Sequence, residues 1–154
     1  INQKENGVHF SVWMDKITDN EWEQYFSFIF VRNPFDRLLS CWKTIGRHMS
    51  FKDFVKGGII VDGVPKILHY QTQCSLLEVP DLSYKTKLDF IGKVENINED
   101  WKKLCSMIDI PHVAMPHLKS NGKFPHYREF YDVKTRELVE NMYKRDLELF
   151  DYEF

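Results

Sequence analysis

Apolar and polar positions follow several different periods along this chain, and each change of period marks an element. Ser27 to Val31 ("SFIFV") is a short apolar run of strand length, and Asp19 to Phe26 before it reads as a short helix leading in. The run then passes through Arg32-Asn33-Pro34 into a helical pattern reaching about Arg47. Wound at about 100° per residue, this segment puts Pro34, Phe35, Leu38, Leu39, Cys41, Trp42 and Ile45 on one side. Asp36, Arg37, Ser40, Thr44 and Arg47 fall on the other. Asn33 suits the N-cap, Pro34 the first helical position, where no N–H is needed, and Asp36 the acidic first turn.

Further helix and strand signals follow. In "SFKDFVKGG", Ser50 is the predicted N-cap, Asp53 completes a capping box and Gly57-Gly58 is the stop. Gly58 to Ser83 carries the breakers Gly63, Pro65 and Pro80 and predicts irregular, substrate-facing surface. Leu88 to Glu95 is a second apolar strand, closed by Asn98 as N-cap of a helix with Trp101, Leu104, Cys105 and Ile108 on its buried face. Beyond the polar loop "SNGKFPHYREFYD", a helix from about Val133 to Phe150 is predicted to bury Leu138, Val139, Met142, Tyr143, Leu147 and Phe150. Strands followed by helices, more than once, predict the α/β class with a parallel sheet flanked by helices.

Composition narrows the function classes. A chain of 154 residues, 43% hydrophobic and 15% aromatic, supports one core and one domain. With 21 basic and 23 acidic residues the formal charge is -2, which gives no global field to hold nucleic acid or an anionic membrane, so any anion site must be local. No apolar run reaches membrane-spanning length, and "INQKENGVHF" has neither the basic start nor the apolar middle of a signal peptide. Cys41, Cys74 and Cys105 form no CxxC pair and are odd in number, which points to a reducing compartment; cytoplasm is the expectation, with a Golgi luminal domain freed of its anchor as the alternative. The six histidines show no metal-ligand spacing, so no metal is expected.

The chemistry concentrates where the first strand meets its helix. Arg32 lies at the carboxyl end of the strand, where open α/β sheets bind ligands, and Ser40 looks out from the polar face of the helix. A forked guanidinium, a hydroxyl and a helix N-terminus together suit a phosphate. Spacing alone leaves an equal alternative, in which Arg32 pairs with a sheet carboxylate and Ser40 is an ordinary surface residue.

"YFSFIFVRNPFDRLLSCW" resembles the signature of the sulfotransferase family that includes many bacterial enzymes and the Golgi carbohydrate sulfotransferases, where a strand ends in Val-Arg-Asn/Asp-Pro and a serine follows the arginine by eight positions. "LDFIGKVENINEDW" and "HYREFYDVKTRELVENMYKRDLELFDYEF" are similar to two further segments of that family, in the same order. The resemblance implies a P-loop NTPase-like sulfotransferase fold in a single domain over residues 1–154. It also implies transfer of a sulfuryl group from 3′-phosphoadenosine 5′-phosphosulfate, without metal, to a hydroxyl or amine of a carbohydrate or small metabolite. On this resemblance Arg32 and Ser40 bind the donor's 3′-phosphate. Lys119, Ser120 and Lys123, with Gly122, belong to a loop that closes over the nucleotide. His9 in "GVHFSVW" is the candidate general base, since it precedes the Arg32 strand as a His-x-Ser element does in related glycan sulfotransferases. An imidazole can accept a proton near neutral pH.

Tyr127, Arg128 and Tyr131 match the family pattern with rings expected to pack the last helix against the sheet, and Glu95 and Asp100 match as structural partners or caps. One family segment is not found: the opening strand and loop resembling Pro-Lys-Thr-Ala-Gly-Thr-Ser that wraps the 5′-phosphosulfate. Gly92-Lys93 and Gly122-Lys123 lack the strand, loop and helix context of such a cradle. The expectation is that the N-terminal portion is missing from this sequence. A non-catalytic nucleotide or glycan binding module is the alternative, while a kinase of similar architecture would want a Walker loop and magnesium-binding acids that are not visible.

Overall fold

The computed structural model describes residues 23–57, 60–61, 64–65, 71–74, 88–115 and 125–154. Its centre is a small parallel sheet. Strand β1 (Phe28–Val31) leads into helix α1 (Pro34–Cys41), which continues as a π-helical turn over Trp42–Gly46. Helix α2 (Phe51–Gly57) follows, then a minimal antiparallel hairpin of β2 (Ile60–Val61) and β3 (Val64–Pro65). Strand β4 (Phe90–Lys93) returns parallel to β1, with Phe28 opposite Phe90 and Val31 opposite Lys93. A 3-10 turn (Val94–Asn96) opens helix α3 (Ile97–Met107), and a second 3-10 turn (Tyr127–Phe130) precedes helices α4 (Val133–Met142) and α5 (Lys144–Phe150).

Local chemistry explains most of these boundaries. Asn33 caps α1 by accepting from the Phe35 N–H at 3.0 Å, and Pro34 occupies the first turn. Ser50 accepts from the Asp53 N–H at 3.1 Å while its hydroxyl donates to the Asp53 carboxylate at 2.6 Å, closing the start of α2. Asp132 caps α4 through the Thr135 N–H at 2.8 Å and also meets Lys52 of α2 at 2.9 Å. Asp151 adopts a left-handed conformation (φ 52°) after α5, a backbone state that aspartate tolerates better than most residues. The chain reverses there, and the Tyr152 N–H reaches the Leu147 carbonyl at 3.0 Å.

The main core joins α1, α2 and α4 through Phe35, Leu38, Leu39, Phe54, Val139 and Tyr143. A second cluster of Val31, Cys74 and Phe150 sits between β1 and α5. None of the three cysteines forms a disulfide, and Cys74 and Cys105 are buried. Gly92 lies opposite Phe30 across the parallel pair, and a Cβ there would run into the Phe30 ring. Among the described residues no helix is long and apolar enough to cross a membrane.

Several sequence expectations are corrected. Residues 23–26 form turn and extended chain, so the helix expected to end at Phe26 does not reach that far. The expected irregular stretch after Gly58 contains the β2–β3 hairpin, and Gln73 and Cys74 within it are buried, not substrate-facing. The N-cap of α3 is Asn96 in place of Asn98, because the strand gives way to a 3-10 turn at Val94. The last helix is two helices, interrupted at Tyr143 (φ -111°, ψ 20°). Its buried stripe is Thr135, Val139, Tyr143, Asp146 and Phe150, while Leu138 and Met142 are each 42% exposed. Two polar residues thus occupy the inward stripe, which the apolar pattern could not signal. Tyr127 and Tyr131 pack not on the sheet but on Phe35 of α1, stacked at 6.3 Å and edge-on at 5.3 Å.

Two outcomes follow from this packing. A Cβ at Gly46 would overlap the Phe54 ring and approach Trp42, so Gly46→Ala should lower stability by about 1–3 kcal/mol in urea denaturation. Combining it with Phe54→Leu should give less than the sum of the two losses, because the second change vacates the overlapped space. Burial pushes the Tyr143 phenol up to about 12, with Arg37 opposing and Cys41 and Asp146 adding to the rise. The fold therefore holds Tyr143 neutral where the unfolded chain ionises, so stability is full below about pH 10 and falls as pH rises from there to about 12. Tyr152, raised mainly by burial and then by Glu95, acts in the same direction. Tyr143→Phe should make the alkaline decline measurably shallower.

Candidate functional site

The carboxyl end of β1 is fixed by an unusual degree of side-chain support. At Arg32 the strand has ended and the helix has not begun, so neither element supplies hydrogen bonds to its backbone. Gln73 supplies both: the Arg32 N–H donates to Gln73 Oε1 at 2.9 Å, and Gln73 Nε2 donates to the Arg32 carbonyl at 2.8 Å. At Asn33 the N–H donates to Glu95 Oε1 at 2.7 Å, and the carbonyl accepts the Arg37 N–H at 2.8 Å. All four backbone polar groups of the corner are accounted for. The Asn33 side chain adds a bond from Nδ2 to the Glu153 carbonyl at 2.9 Å.

Each supporting side chain is itself held. Both oxygens of the fully buried Asp146 accept backbone N–H groups, from Gln73 at 2.7 Å and from Cys74 at 2.8 Å. Arg37 Nη1 donates to the Gln71 carbonyl at 2.7 Å, pinning the same segment to α1. The Tyr152 hydroxyl donates to Glu95 Oε2 at 2.8 Å, with the Val31 carbonyl 3.2 Å away. Glu95 is therefore a structural partner, as is Asp100, which accepts the Lys93 N–H at 2.8 Å and whose carboxyl is held below its usual range chiefly by that bond. Tyr131 donates to the Phe35 carbonyl at 2.8 Å, and Arg128 Nη2 donates to the Phe154 carbonyl at 2.7 Å.

From this corner the Arg32 side chain turns onto the first turn of α1. Nε and Nη2 both donate to Asp36 Oδ2, at 2.9 and 2.6 Å. The side chains are 34% and 30% exposed, so the pair faces solvent and a ligand could reach it. The acid is on the helix, not on the sheet. A guanidinium has five N–H donors, and the two spent on Asp36 leave the rest of the fork for an anion. Asp36, Ser40, Lys43 and Arg47 recur at helical spacing on one face of α1 and its π-helical extension. Lys43 is half-buried with Nζ 5.4 Å above the Phe130 ring. Burial lowers its pKa, Asp36 works against that fall, and the guanidinium groups of Arg32 and Arg47 add to it. Arg32, Arg47 and Asp36 thus all act on Lys43, and Ser40, one turn beyond Asp36, is half-buried with its carbonyl accepting the Thr44 hydroxyl at 3.0 Å.

The structure therefore brings Arg32 and Ser40 to one polar face, with Asp36 set between them along the helix. His9, Lys119, Ser120 and Lys123 lie outside the described residues. His112 is exposed, and His126 caps the Tyr127–Phe130 turn through Nδ1, which accepts the Arg128 N–H at 3.4 Å. Among the described residues no three His, Cys, Asp or Glu side chains gather to hold a metal ion. Sequence reasoning missed Gln73, Asp146 and Lys43. Asp146 carried a signal: it falls three residues after Tyr143 and four before Phe150, in the middle of an apolar stripe, where an acid calls for a partner.

Two comparisons with known proteins bear on the chain's kinship. An uncharacterized protein of Archaeoglobus fulgidus is 30% identical over 106 residues, an alignment that takes in 64% of this chain and 82% of that protein. No solved structure gives a significant match. A family model described as "Sulfotransferase family" matches residues 2–153, nearly the whole chain and all of the Arg32 corner. The chain belongs to the sulfotransferase family.

Proposed function

We propose that this chain takes part in moving a sulfuryl group from 3′-phosphoadenosine 5′-phosphosulfate to a hydroxyl or amine of a carbohydrate or small metabolite. Family membership supports sulfotransferase activity in general. The observation that carries the finer reading is the Arg32 corner: a guanidinium on a backbone with every polar group satisfied, one-third exposed, turned onto the helix face that carries Ser40, with Lys43 and Arg47 in the same charged neighbourhood. A phosphate dianion suits such a site, because guanidinium and hydroxyl donors to an anion form short charge-assisted bonds. Arg32 and Ser40 would hold the 3′-phosphate, with Lys119, Ser120 and Lys123 closing over the nucleotide.

In the transfer the acceptor oxygen or nitrogen attacks sulfur, the sulfur–oxygen bond to the 5′-phosphate breaks, and that bond's electrons leave with adenosine 3′,5′-bisphosphate. The acceptor proton passes to His9. Positioning and electrostatics dominate such in-line transfers, by analogy with phosphoryl transfer. Preorganisation of the Arg32 corner serves that need, since a donor phosphate fixed at one end limits where the sulfur can sit.

Two experiments test the assignment. Arg32→Ala should weaken binding of adenosine 3′,5′-bisphosphate roughly tenfold to 150-fold in calorimetric titration, matching about 1.5–3 kcal/mol for a hydrogen bond to a charged group. Ser40→Ala should weaken it about fivefold with an unchanged melting temperature. Retained affinity with reduced melting temperature in both variants would make the pair structural. His9→Ala should lower turnover by about 10² to 10⁴ while nucleotide affinity holds, and the acid limb of the rate profile, set by a group in the histidine range, should flatten. A matching fall in affinity and rate would make His9 a positioning group instead.

A further inference from the structure

We infer that Gln73 is a positioning residue for Arg32, setting where the guanidinium stands by acting as a substitute strand neighbour to its backbone. The inference rests on the reading of Arg32 as a phosphate ligand. Its carboxamide matches the hydrogen-bond pattern of a peptide group: Oε1 takes the Arg32 N–H at 2.9 Å and Nε2 serves the Arg32 carbonyl at 2.8 Å. These two bonds fix the peptide planes on both sides of the Arg32 Cα, and hence the direction of its Cα–Cβ bond. Downstream of Cβ, Asp36 holds the guanidinium itself. Gln73 and Asp36 thus control the two ends of one side chain.

Gln73 can do this because it is not a surface residue on a loose connection. It is 6% exposed, its own N–H is bound to the buried Asp146 at 2.7 Å, and the Gln71 carbonyl two residues before is bound by Arg37 at 2.7 Å. Its neighbour Cys74 packs against Val31 and Phe150. The amide is therefore delivered to Arg32 from a frame anchored in α1 and α5. Filling the corner would require only packing; a purely space-filling role has no use for a donor and an acceptor placed at both peptide groups of one residue. An amide is also the suitable chemistry: a carboxylate would face the Arg32 carbonyl with lone pairs.

Gln73→Leu keeps the approximate volume and removes both bonds, and Gln73→Glu keeps only an acceptor for the Arg32 N–H. Amide hydrogen exchange at Arg32, followed by nuclear magnetic resonance, reads the placement directly. The Arg32 amide should exchange faster in Gln73→Leu, with the Arg32 Nε–H resonance shifted, and Gln73→Glu should be intermediate. Affinity for adenosine 3′,5′-bisphosphate should fall roughly 5- to 20-fold in Gln73→Leu, the weight of one to two hydrogen bonds, and less in Gln73→Glu. In an Arg32→Ala background the same change should alter affinity less than about twofold, since the effect travels through a side chain no longer there. Equal losses in both backgrounds would overturn the inference, as would an unchanged Arg32 amide and Nε–H in Gln73→Leu. A lowered melting temperature with full nucleotide affinity would reduce Gln73 to a structural role and overturn it too. If Arg32→Ala alone left affinity untouched, the phosphate reading would fail while the resonance data still decided the placement. Should Gln73→Leu not fold, Gln73→Glu gives the same comparisons at smaller amplitude.

Discussion

Two backbone N–H groups ending on the two oxygens of Asp146 hold much of this structure in register. Asp146 is fully buried in the last helix, and the groups it binds belong to Gln73 and Cys74, more than seventy residues earlier in the chain. A buried side chain of this kind is tolerable only when its acceptors are used, and here both are. Removing the carboxylate would strip two buried N–H groups of these bonds and leave the segment held by the Gln73 carboxamide, Arg37 and packing alone. The cluster of Val31, Cys74 and Phe150 closes around the same point, so apolar packing and hydrogen bonding fix the segment together.

From that anchor the order passes outward through side chains, not through the sheet. β1 and β4 are a two-stranded pair of four residues each, too short to organise what lies beyond their ends. Gln73 and Glu95 carry the pattern one residue further by bonding the Arg32–Asn33 backbone, while Tyr152 holds Glu95 and the Asn33 side chain ties the corner to the Glu153 carbonyl. The left-handed Asp151 is what returns Tyr152 and Glu153 to this corner after α5. Asn33, Glu95 and Tyr152 of the family segments are thus scaffolding for the partly exposed guanidinium at the end of β1.

The sequence made the strand, its exit into α1 and the capped starts of α1 and α2 legible, because each depends on neighbours within four residues: Asn33 with Phe35, Ser50 with Asp53. It placed Arg32 at the end of the strand and Ser40 on the polar side of α1 for the same reason. Long-range polar pairings were not legible. Nothing local tells that Gln73 meets Arg32 or that Asp146 meets Gln73, and the stretch holding Gln73 read as surface because Gly63, Pro65 and Pro80 break it up. Apolar periodicity also misplaced the stripe of the last helix: it favoured Leu138 and Met142, whereas Thr135 and Asp146 are inside because the Asp132 cap and the Gln73–Cys74 segment give their polar atoms partners. The 3-10 turn before α3 moved its start for a similar reason, since Glu95 is drawn to Asn33 and Tyr152.

Asp36 also decides how far away the site can be felt. With its carboxylate 2.6 Å from the Arg32 guanidinium, the pair looks nearly neutral from beyond about one Debye length, roughly 8 Å at physiological ionic strength. Lys43 and Arg47 supply the remaining net positive charge, and Lys43 is partly withdrawn over Phe130. An anion diffusing nearby therefore feels Lys43 and Arg47 more than Arg32, whose fork is already partly engaged with Asp36. Only a ligand that brings several acceptors to the fork and the neighbouring hydroxyl at once gains enough on contact to compete with the carboxylate. A phosphate proposed to bind here would then be selected by multiplicity of contacts at close range, with Lys43 and Arg47 supplying whatever pull is felt from a distance.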